Sequence, residues 1–156
     1  MDVHKKFMKK AIALSVENVA KGGGPFGAVI VKDGRIVATG TNGVTRHNDP
    51  TAHAELTAIR KAAKKLKNFN LEGCIIYSSC EPCPMCLGAV YWARLDKMYY
   101  GNTKLDAQNI GFDDSFIYHE LDLQPENRSL KSEQLLPDEA LKAFEAWTEK
   151  TDKTAY

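Results

Sequence analysis

The stretch AVIVKDGRIVA, residues 28–38, indicates how the fold begins. Two runs rich in β-branched residues flank Lys32-Asp33-Gly34, and Asp-Gly between such runs is a strong signal for a tight β-hairpin. Before the hairpin, residues 2 to about 20 place apolar side chains at helical spacing, and Gly22-Gly23-Gly24 ends that pattern. The sequence therefore predicts a helix followed by two antiparallel strands.

Helices and strands alternate after the hairpin. Asp49-Pro50 predicts an N-cap followed by a first helical residue, and apolar spacing extends this second helix to about Leu66. The short apolar run Cys74–Ser78 favours an interior strand. A third helix is expected from near Cys83, and a further strand is expected at Lys97–Tyr100.

The end of the chain predicts two more elements and completes the fold class. Ser129–Leu136 is expected to form a last strand and Asp138–Glu149 a closing helix. A chain of 156 residues fits one domain. Alternating helices and strands after a hairpin indicate an α/β fold, a three-layer α/β/α sandwich with a mixed central sheet of about five strands.

The charge balance and the apolar runs of the chain make nucleic acid and membranes unfavourable partners. Lys and Arg number 21 against 20 Asp and Glu, so no bulk positive field attracts phosphates and nucleic acid is disfavoured. The basic run at residues 60–67 has helical spacing and is interpreted as a solvated face. No apolar run reaches the roughly 18 residues of a membrane span, and no signal-peptide core is present. We therefore expect a cytoplasmic protein without membrane contacts, in which clustered cysteines indicate metal or catalysis.

One constellation of residues predicts a catalytic zinc site. Cys83 and Cys86 form a Cys-x-x-Cys pair, and His53 lies upstream at the start of its own helix. Two thiolates and one imidazole suit zinc, and a three-ligand site leaves one tetrahedral position for water. Zinc makes such water acidic enough to yield hydroxide near neutral pH. Glu55, two residues after His53, is then placed to move the protons.

The cysteines also admit other interpretations. A Cys-x-x-Cys pair occurs in redox sites and as half of a structural zinc site. Cys80 could replace His53 in a three-cysteine site, but His53 would then have no role, so we interpret Cys80 and Cys74 as buried small residues. The remaining histidines lack a nearby ligand partner and are expected at the surface: His4, His47 and His119.

Several segments together resemble the cytidine deaminase superfamily and, more narrowly, the small bacterial guanine deaminases. The zinc segments are shared by many relatives, whereas the segment from Phe112 to Phe116 and the closing Tyr156 favour the narrower resemblance. The segments that carry the resemblance are Gly24–Ala28, Asn42, Asn48–Glu55, Ser79–Cys86, Tyr91–Arg94 and Gly111–Phe116.

The resemblance implies a set of substrate-binding residues. Phe26 is expected to pack on a purine, Asn42 and the Ala54 backbone to hold its edge, and Trp92 to line the pocket. Without the resemblance, Phe26 and Trp92 are also consistent with core aromatics, and Asn42 before a glycine is consistent with a turn residue. These alternatives remain open at this point.

The resemblance also implies a role for the carboxy-terminal segment. Asp114 is expected to bind the purine and to share proton delivery with Glu55, whereas Asp113 is interpreted as a surface residue. Relatives of this kind are homodimers in which a segment from about residue 103 to 156 crosses to the partner's site. Phe112, Asp114 and Tyr156 would then act in trans.

The implied reaction is the hydrolysis of guanine to xanthine and ammonia. Zinc-bound hydroxide would attack C2 while Glu55 protonates N3, with one Zn²⁺ per subunit. A tyrosine closing over the base would leave little room for a ribose or a polynucleotide. The alternatives are deamination of guanosine, cytosine, cytidine or tRNA adenosine, or a structural zinc-binding module without turnover.

Overall fold

The computed structural model describes residues 2–156, which divide into two compact units, one ending at Ser115 and one spanning Phe116–Tyr156. The helices and strands of the first unit are α1 (Val3–Ala20), β1 (Gly27–Lys32), β2 (Arg35–Thr41), α2 (Val44–His47), α3 (Ala54–Leu66), β3 (Cys74–Cys80), α4 (Pro84–Trp92), β4 (Lys97–Asn102) and α5 (Lys104–Asn109). The remaining elements are α6 (Ser115–Asp122), a 3₁₀ turn (Pro125–Asn127) and α7 (Pro137–Glu149).

The predicted hairpin is confirmed and forms one side of a mixed sheet. Asp33 and Gly34 have φ angles of 48° and 71°, the left-handed pair that a tight two-residue hairpin turn requires. The strand order is β2-β1-β3-β4, with β1 antiparallel to both neighbours and β3 parallel to β4.

Helices cover both faces of this sheet, so the predicted three-layer α/β/α class is confirmed. Along β1, Ala28 and Ile30 join the apolar cluster formed with α3 and α4. Val29 and Val31 face the other way and pack with Phe7 and Ala11 of α1. This alternation is the period of two expected for a strand buried on both sides.

Two predictions about individual elements are wrong. The expected strand at Ser129–Leu136 does not form, so the described sheet has four strands instead of about five. The segment contains no β-branched or aromatic residue, and its strand propensity is correspondingly low. The second long helix starts at Ala54 and not at Pro50, because the Asp49 carboxylate accepts hydrogen bonds from the Thr51 N–H and hydroxyl and closes a turn.

A close backbone approach holds the start of α3 against the sheet. A Cβ atom at Gly40 of β2 would lie 2.1 Å from the Ala54 carbonyl oxygen, so only glycine permits this spacing. The first turn of α3 therefore sits directly on β2.

The second unit confirms the predicted closing helix but has no buried residues of its own. The Arg128 guanidinium donates to the Glu120 carbonyl, and the Ser129 N–H donates to the Glu120 carboxylate. Large apolar side chains are exposed along the unit, among them Leu121, Leu135, Leu141, Phe144, Trp147 and Tyr156.

Across residues 2–156, every helix is too short or too polar to cross a membrane.

Candidate active site

His53, Cys83 and Cys86 form the candidate metal centre. The Nδ1 atom of His53 lies 3.5 Å from the Sγ atoms of both Cys83 and Cys86. The three ligand atoms lie within 4.8 Å of one another. A tetrahedral zinc ion with its usual Zn–N and Zn–S distances would separate nitrogen from sulfur by about 3.6 Å. The donor set and its spacing therefore fit zinc.

Two of these residues occupy helix N-caps, which explains how they meet. His53 precedes α3 and Cys83 precedes α4, each with an extended backbone and neither with a side-chain bond to its own helix. N-cap side chains usually turn back to bind the helix start. Here the side chains of His53 and Cys83 point at each other. Helix α4 begins at Pro84, and Cys86 is buried in its first turn.

The three side chains share protons unequally. Hydrogen bonding to Cys86 and, to a lesser extent, to His53 lowers the pKa of Cys83 to about 4, against the opposing effect of burial. The pKa of Cys86 is raised by its bond to Cys83 and by burial. The pKa of His53 is raised by its bond to Cys83, although burial opposes this. The ionised form of Cys83 is therefore favoured, and the amino terminus of α4, where Cys83 lies, also favours this charge.

Glu55 is buried beside the metal centre and is held by a serine. Its Oε1 atom accepts a 2.8 Å hydrogen bond from the Ser78 hydroxyl, and both residues are buried. Glu55 lies in the first turn of α3, two residues after His53, whose backbone is extended. Both side chains therefore reach the same site. Ser78 is not among the residues predicted for the site, and the available signal was the pair of adjacent serines, Ser78 and Ser79, that follows the apolar run of β3.

Phe26 and Phe112 form an aromatic pair within one chain. Their ring centroids are 4.9 Å apart and the planes meet at 87°, an edge-to-face contact. Phe26 is partly buried against the apolar core, whereas Phe112 is 45% exposed. The chain thus brings together two of the side chains implied to contact a purine.

Asn42 is buried and makes the turn contact that its sequence context indicates. Its side-chain Oδ1 atom accepts a 3.2 Å hydrogen bond from the Val44 N–H, and its backbone N–H donates to the Phe26 carbonyl. Ala54 is fully buried at the start of α3. The turn role and the implied purine contact are compatible, since Asn42 is tied to Phe26 through its backbone.

Asp114 has an unsatisfied oxygen in this region. Its Oδ1 atom is buried and has no hydrogen-bond partner among residues 2–156. Burial raises its pKa, the backbone N–H of Asp114 itself opposes this, and the negative charge of Cys83 raises it further. The buried oxygen of Asp114 is thus available to a ligand of this chain.

The other predicted residues differ in their exposure to solvent. Trp92, the last residue of α4, is 67% exposed, and Tyr156 in the second unit is 74% exposed. Cys80 lies outside the candidate ligand set, with its thiol 3.7 Å from the Thr103 carbonyl. Burial raises the pKa of Cys80 to about 11, as expected for a buried small residue.

One expectation about the histidines needs correction. His47 and His119 are exposed, as expected, but His4 is only partly exposed. Its Nδ1 atom lies 2.8 Å from the Tyr77 hydroxyl, and its ring stacks on Tyr99. Helical spacing alone could not show that α1 carries His4 over two tyrosines of the sheet.

The comparison with known proteins identifies the class. Residues 1–102 match the family described as the cytidine and deoxycytidylate deaminase zinc-binding region. This match covers more than half of the chain, and the chain belongs to this family of zinc-binding deaminases. The match ends before Phe112 and Asp114.

Two further likenesses extend over nearly the whole chain. The chain is 54% identical to the guanine deaminase of Bacillus subtilis (strain 168) over 154 residues, covering 98% of this chain and 99% of that protein. The X-ray structure of guanine deaminase from Bacillus subtilis matches with a TM-score of 0.95 at 55% identity, covering 98% of each chain. By contrast, the tRNA-specific adenosine deaminase of Aquifex aeolicus is 42% identical over 94 residues, covering 60% of this chain and 62% of that protein.

Proposed function

We propose that this protein hydrolyses guanine to xanthine and ammonia. The observation that carries the proposal is the buried Glu55 carboxylate beside a three-ligand zinc site, in a chain that is similar to guanine deaminase along 98% of its length. The 2-amino group is the group replaced. The enzyme is thus a hydrolase acting on a carbon–nitrogen bond of a cyclic amidine.

His53, Cys83 and Cys86 would hold the zinc ion. When bound, zinc supplies a Lewis acid that makes a coordinated water a nucleophile near neutral pH. With three protein ligands, one position is left for that water. A structural zinc module would need a fourth protein ligand, and the candidate set among the described residues contains three.

Glu55 carries the protons of the reaction. It takes a proton from the attacking water and delivers it to N3 of the ring while the water oxygen bonds to C2. It then carries the second proton to the 2-amino group, so that the C2–N bond breaks and ammonia leaves. Because Ser78 holds one carboxylate oxygen, the carboxylate keeps one orientation during both transfers.

Asp114 is proposed to assist from the other side of the base. Its buried oxygen without a partner suits an acceptor that a purine N–H completes, and the raised pKa of its carboxyl favours proton exchange. Together with Glu55, Asp114 is the second catalytic carboxyl. The proposed purine contacts are Phe26, Asn42, the backbone of Ala54, Trp92, Phe112 and Tyr156.

We further propose that the whole chain forms one deaminase domain and works as a homodimer that exchanges its carboxy-terminal segment. Residues 116–156 contain no buried residue, although α7 presents Leu141, Phe144 and Trp147 along one side. An apolar helix face of this kind is stabilised by burial against a second copy of the chain. The exchange was expected from about residue 103, but the contact of Phe112 with Phe26 favours a boundary after Ser115.

The four cysteines are free, which favours a reducing compartment, and we propose the cytoplasm. The partner of the site is a small purine base.

A substrate panel tests the proposal. Purified, zinc-loaded protein is incubated with guanine, guanosine, cytosine, cytidine and an adenosine-containing tRNA, and released ammonia is measured. Guanine is expected to give the highest kcat/KM. Faster release from another compound would replace the substrate assignment, and release from none would favour the structural zinc module.

A further inference from the structure

Asn18 of α1 is a buried amide whose hydrogen-bonding groups bind the loops around the proposed purine pocket. Its side-chain Nδ2 donates to the Gly24 carbonyl at 2.8 Å and to the Asn42 carbonyl at 2.9 Å. Its Oδ1 accepts from the Arg46 guanidinium at 3.1 Å. Asn18 is 2% exposed, so these bonds form with little competition from water.

The two carbonyls that Asn18 binds lie on either side of Phe26. The Phe26 N–H donates to the Gly24 carbonyl, and the Phe26 carbonyl accepts from the Asn42 N–H. One side chain therefore ties the segment before β1 to the end of β2. The carboxy-terminal end of the same segment, at Gly27, is held by the Ser79 hydroxyl, which accepts a hydrogen bond from the Gly27 N–H.

The packing around the amide supports this bridging role. A Cβ atom at Gly23 would lie 2.4 Å from Asn18 Nδ2, so the glycine lets the backbone pass directly over the amide. An uncharged amide is also the chemical group required. It donates two hydrogens from one nitrogen and accepts on its oxygen, whereas a carboxylate would place an oxygen against two carbonyl oxygens.

We propose that Asn18 is a positioning residue that sets the locations of Phe26 and Asn42 and thereby the affinity for the purine. The inference rests on the proposed deaminase function. Asn18 contacts neither His53 nor Glu55, so it acts on substrate binding more than on the chemical step. An aromatic ring displaced by the loss of this bridge would stack less well on the base.

The deciding comparison is Asn18→Asp against Arg46→Ala. Asn18→Asp keeps the shape and the bond to Arg46 but loses both donated hydrogen bonds, and the KM for guanine is expected to rise by about tenfold. The kcat is expected to stay within about threefold, since the first turns of α3 and α4 are untouched. Arg46→Ala removes only the hydrogen bond from the Arg46 guanidinium to Asn18 Oδ1. A cavity of about 310 Å³ beside Asn18 and Arg46 lets a water molecule replace this bond, so the KM for guanine should change little.

A second variant guards against a folding defect. Gly23→Ala leaves Asn18 in place but pushes its amide aside, and it should raise KM in the same direction. Zinc content and melting temperature are measured for every variant. A KM increase in well-folded, zinc-loaded Asn18→Asp or Gly23→Ala supports the proposal.

Two other results overturn it. The first is an equal KM in the wild-type, Asn18→Asp and Gly23→Ala proteins. The second is a parallel loss of kcat and melting temperature at constant KM, because this result would indicate that Asn18 has a structural role alone. Absence of ammonia release by the wild-type protein would instead reject the proposed guanine activity. In that case, equilibrium binding of guanine to wild-type and Asn18→Asp proteins still tests the positioning role.

Discussion

The two units of this chain differ in where their stability comes from. The unit ending at Ser115 holds the sheet, both apolar clusters and every residue of the candidate metal centre. The unit Phe116–Tyr156 has helices but no buried residue. Isolated helices of this length are marginal in water, because most helical stability comes from packing an apolar face. The comparison indicates that the first unit carries its own core and the candidate metal centre, whereas the second unit has no buried core of its own.

The largest expected effect tests whether the first unit alone contains the chemistry. Glu55→Gln removes the proton carrier but no metal ligand, and kcat is expected to fall by about a thousandfold or more. Zinc content, measured by atomic absorption, should stay at the wild-type level. Cys83→Ser is the matched variant, which should lose zinc as well as turnover. Full zinc in Cys83→Ser, or retained turnover in Glu55→Gln, would contradict the assignment.

The second prediction tests the role of the terminal unit through subunit mixing. A Glu55→Gln chain and a chain ending at Glu149 are each expected to be nearly inactive. If the terminal segment completes the partner's site, a statistical mixture should regain about a quarter of wild-type activity, because half of the dimers are mixed and each has one intact site. Mass spectrometry verifies that subunits have exchanged. Mixed dimers without recovered activity would show that each chain completes its own site.

A smaller effect is expected from Ser78→Ala. The substitution leaves Glu55 in place but removes the hydrogen bond to its Oε1, and kcat should fall by about tenfold, a value typical of one buried hydrogen bond to a charged group. KM for guanine should change little, since the hydrogen bond of the Ser78 hydroxyl goes to the proton carrier Glu55. Ser79→Ala, which affects the adjacent Phe26 loop, is the comparison. An unchanged kcat in Ser78→Ala would show that packing alone orients Glu55.

The smallest predicted effect concerns the stability of the first unit. Burial raises the pKa of Asp114, so its ionised form destabilises the fold at neutral pH. Asp114→Asn should therefore lower activity while raising the free energy of unfolding at pH 7, by less than about 1 kcal/mol because solvent screens this partly exposed carboxyl. Because the unfolded carboxyl is protonated below about pH 4, the gain should vanish there. Denaturant titrations at both pH values measure it, and a loss of stability at pH 7 would show that Asp114 has a stabilising partner.

The parts of the structure that local patterns determine were predictable from sequence. The hairpin at Asp33-Gly34, the first helix and the alternation of strands and helices follow from turn chemistry and apolar spacing. Zinc ligation by His53 with Cys83 and Cys86 follows from the chemistry of the residue types. In each case, neighbours in sequence or a chemically specific motif carry the information.

Three of the misses share a physical cause, since each depends on contacts between residues distant in sequence. Ser78 and Asn18 are ordinary polar residues until the fold brings them to Glu55 and Asn42. The helix start was misplaced because Asp49 caps a turn instead, and both choices use the same local chemistry. His4 became partly buried through two tyrosines of β3 and β4.

The N-cap positions of His53 and Cys83 have a consequence for the stability of the folded enzyme. Each helix start lacks the side-chain cap that usually contributes about 1 kcal/mol. A zinc ion held by both residues would act as a cross-link between positions 30 residues apart, comparable to a disulfide in the way it restricts the unfolded chain. The metal would then contribute to stability as well as to catalysis, and its removal would lower the free energy of unfolding together with the activity.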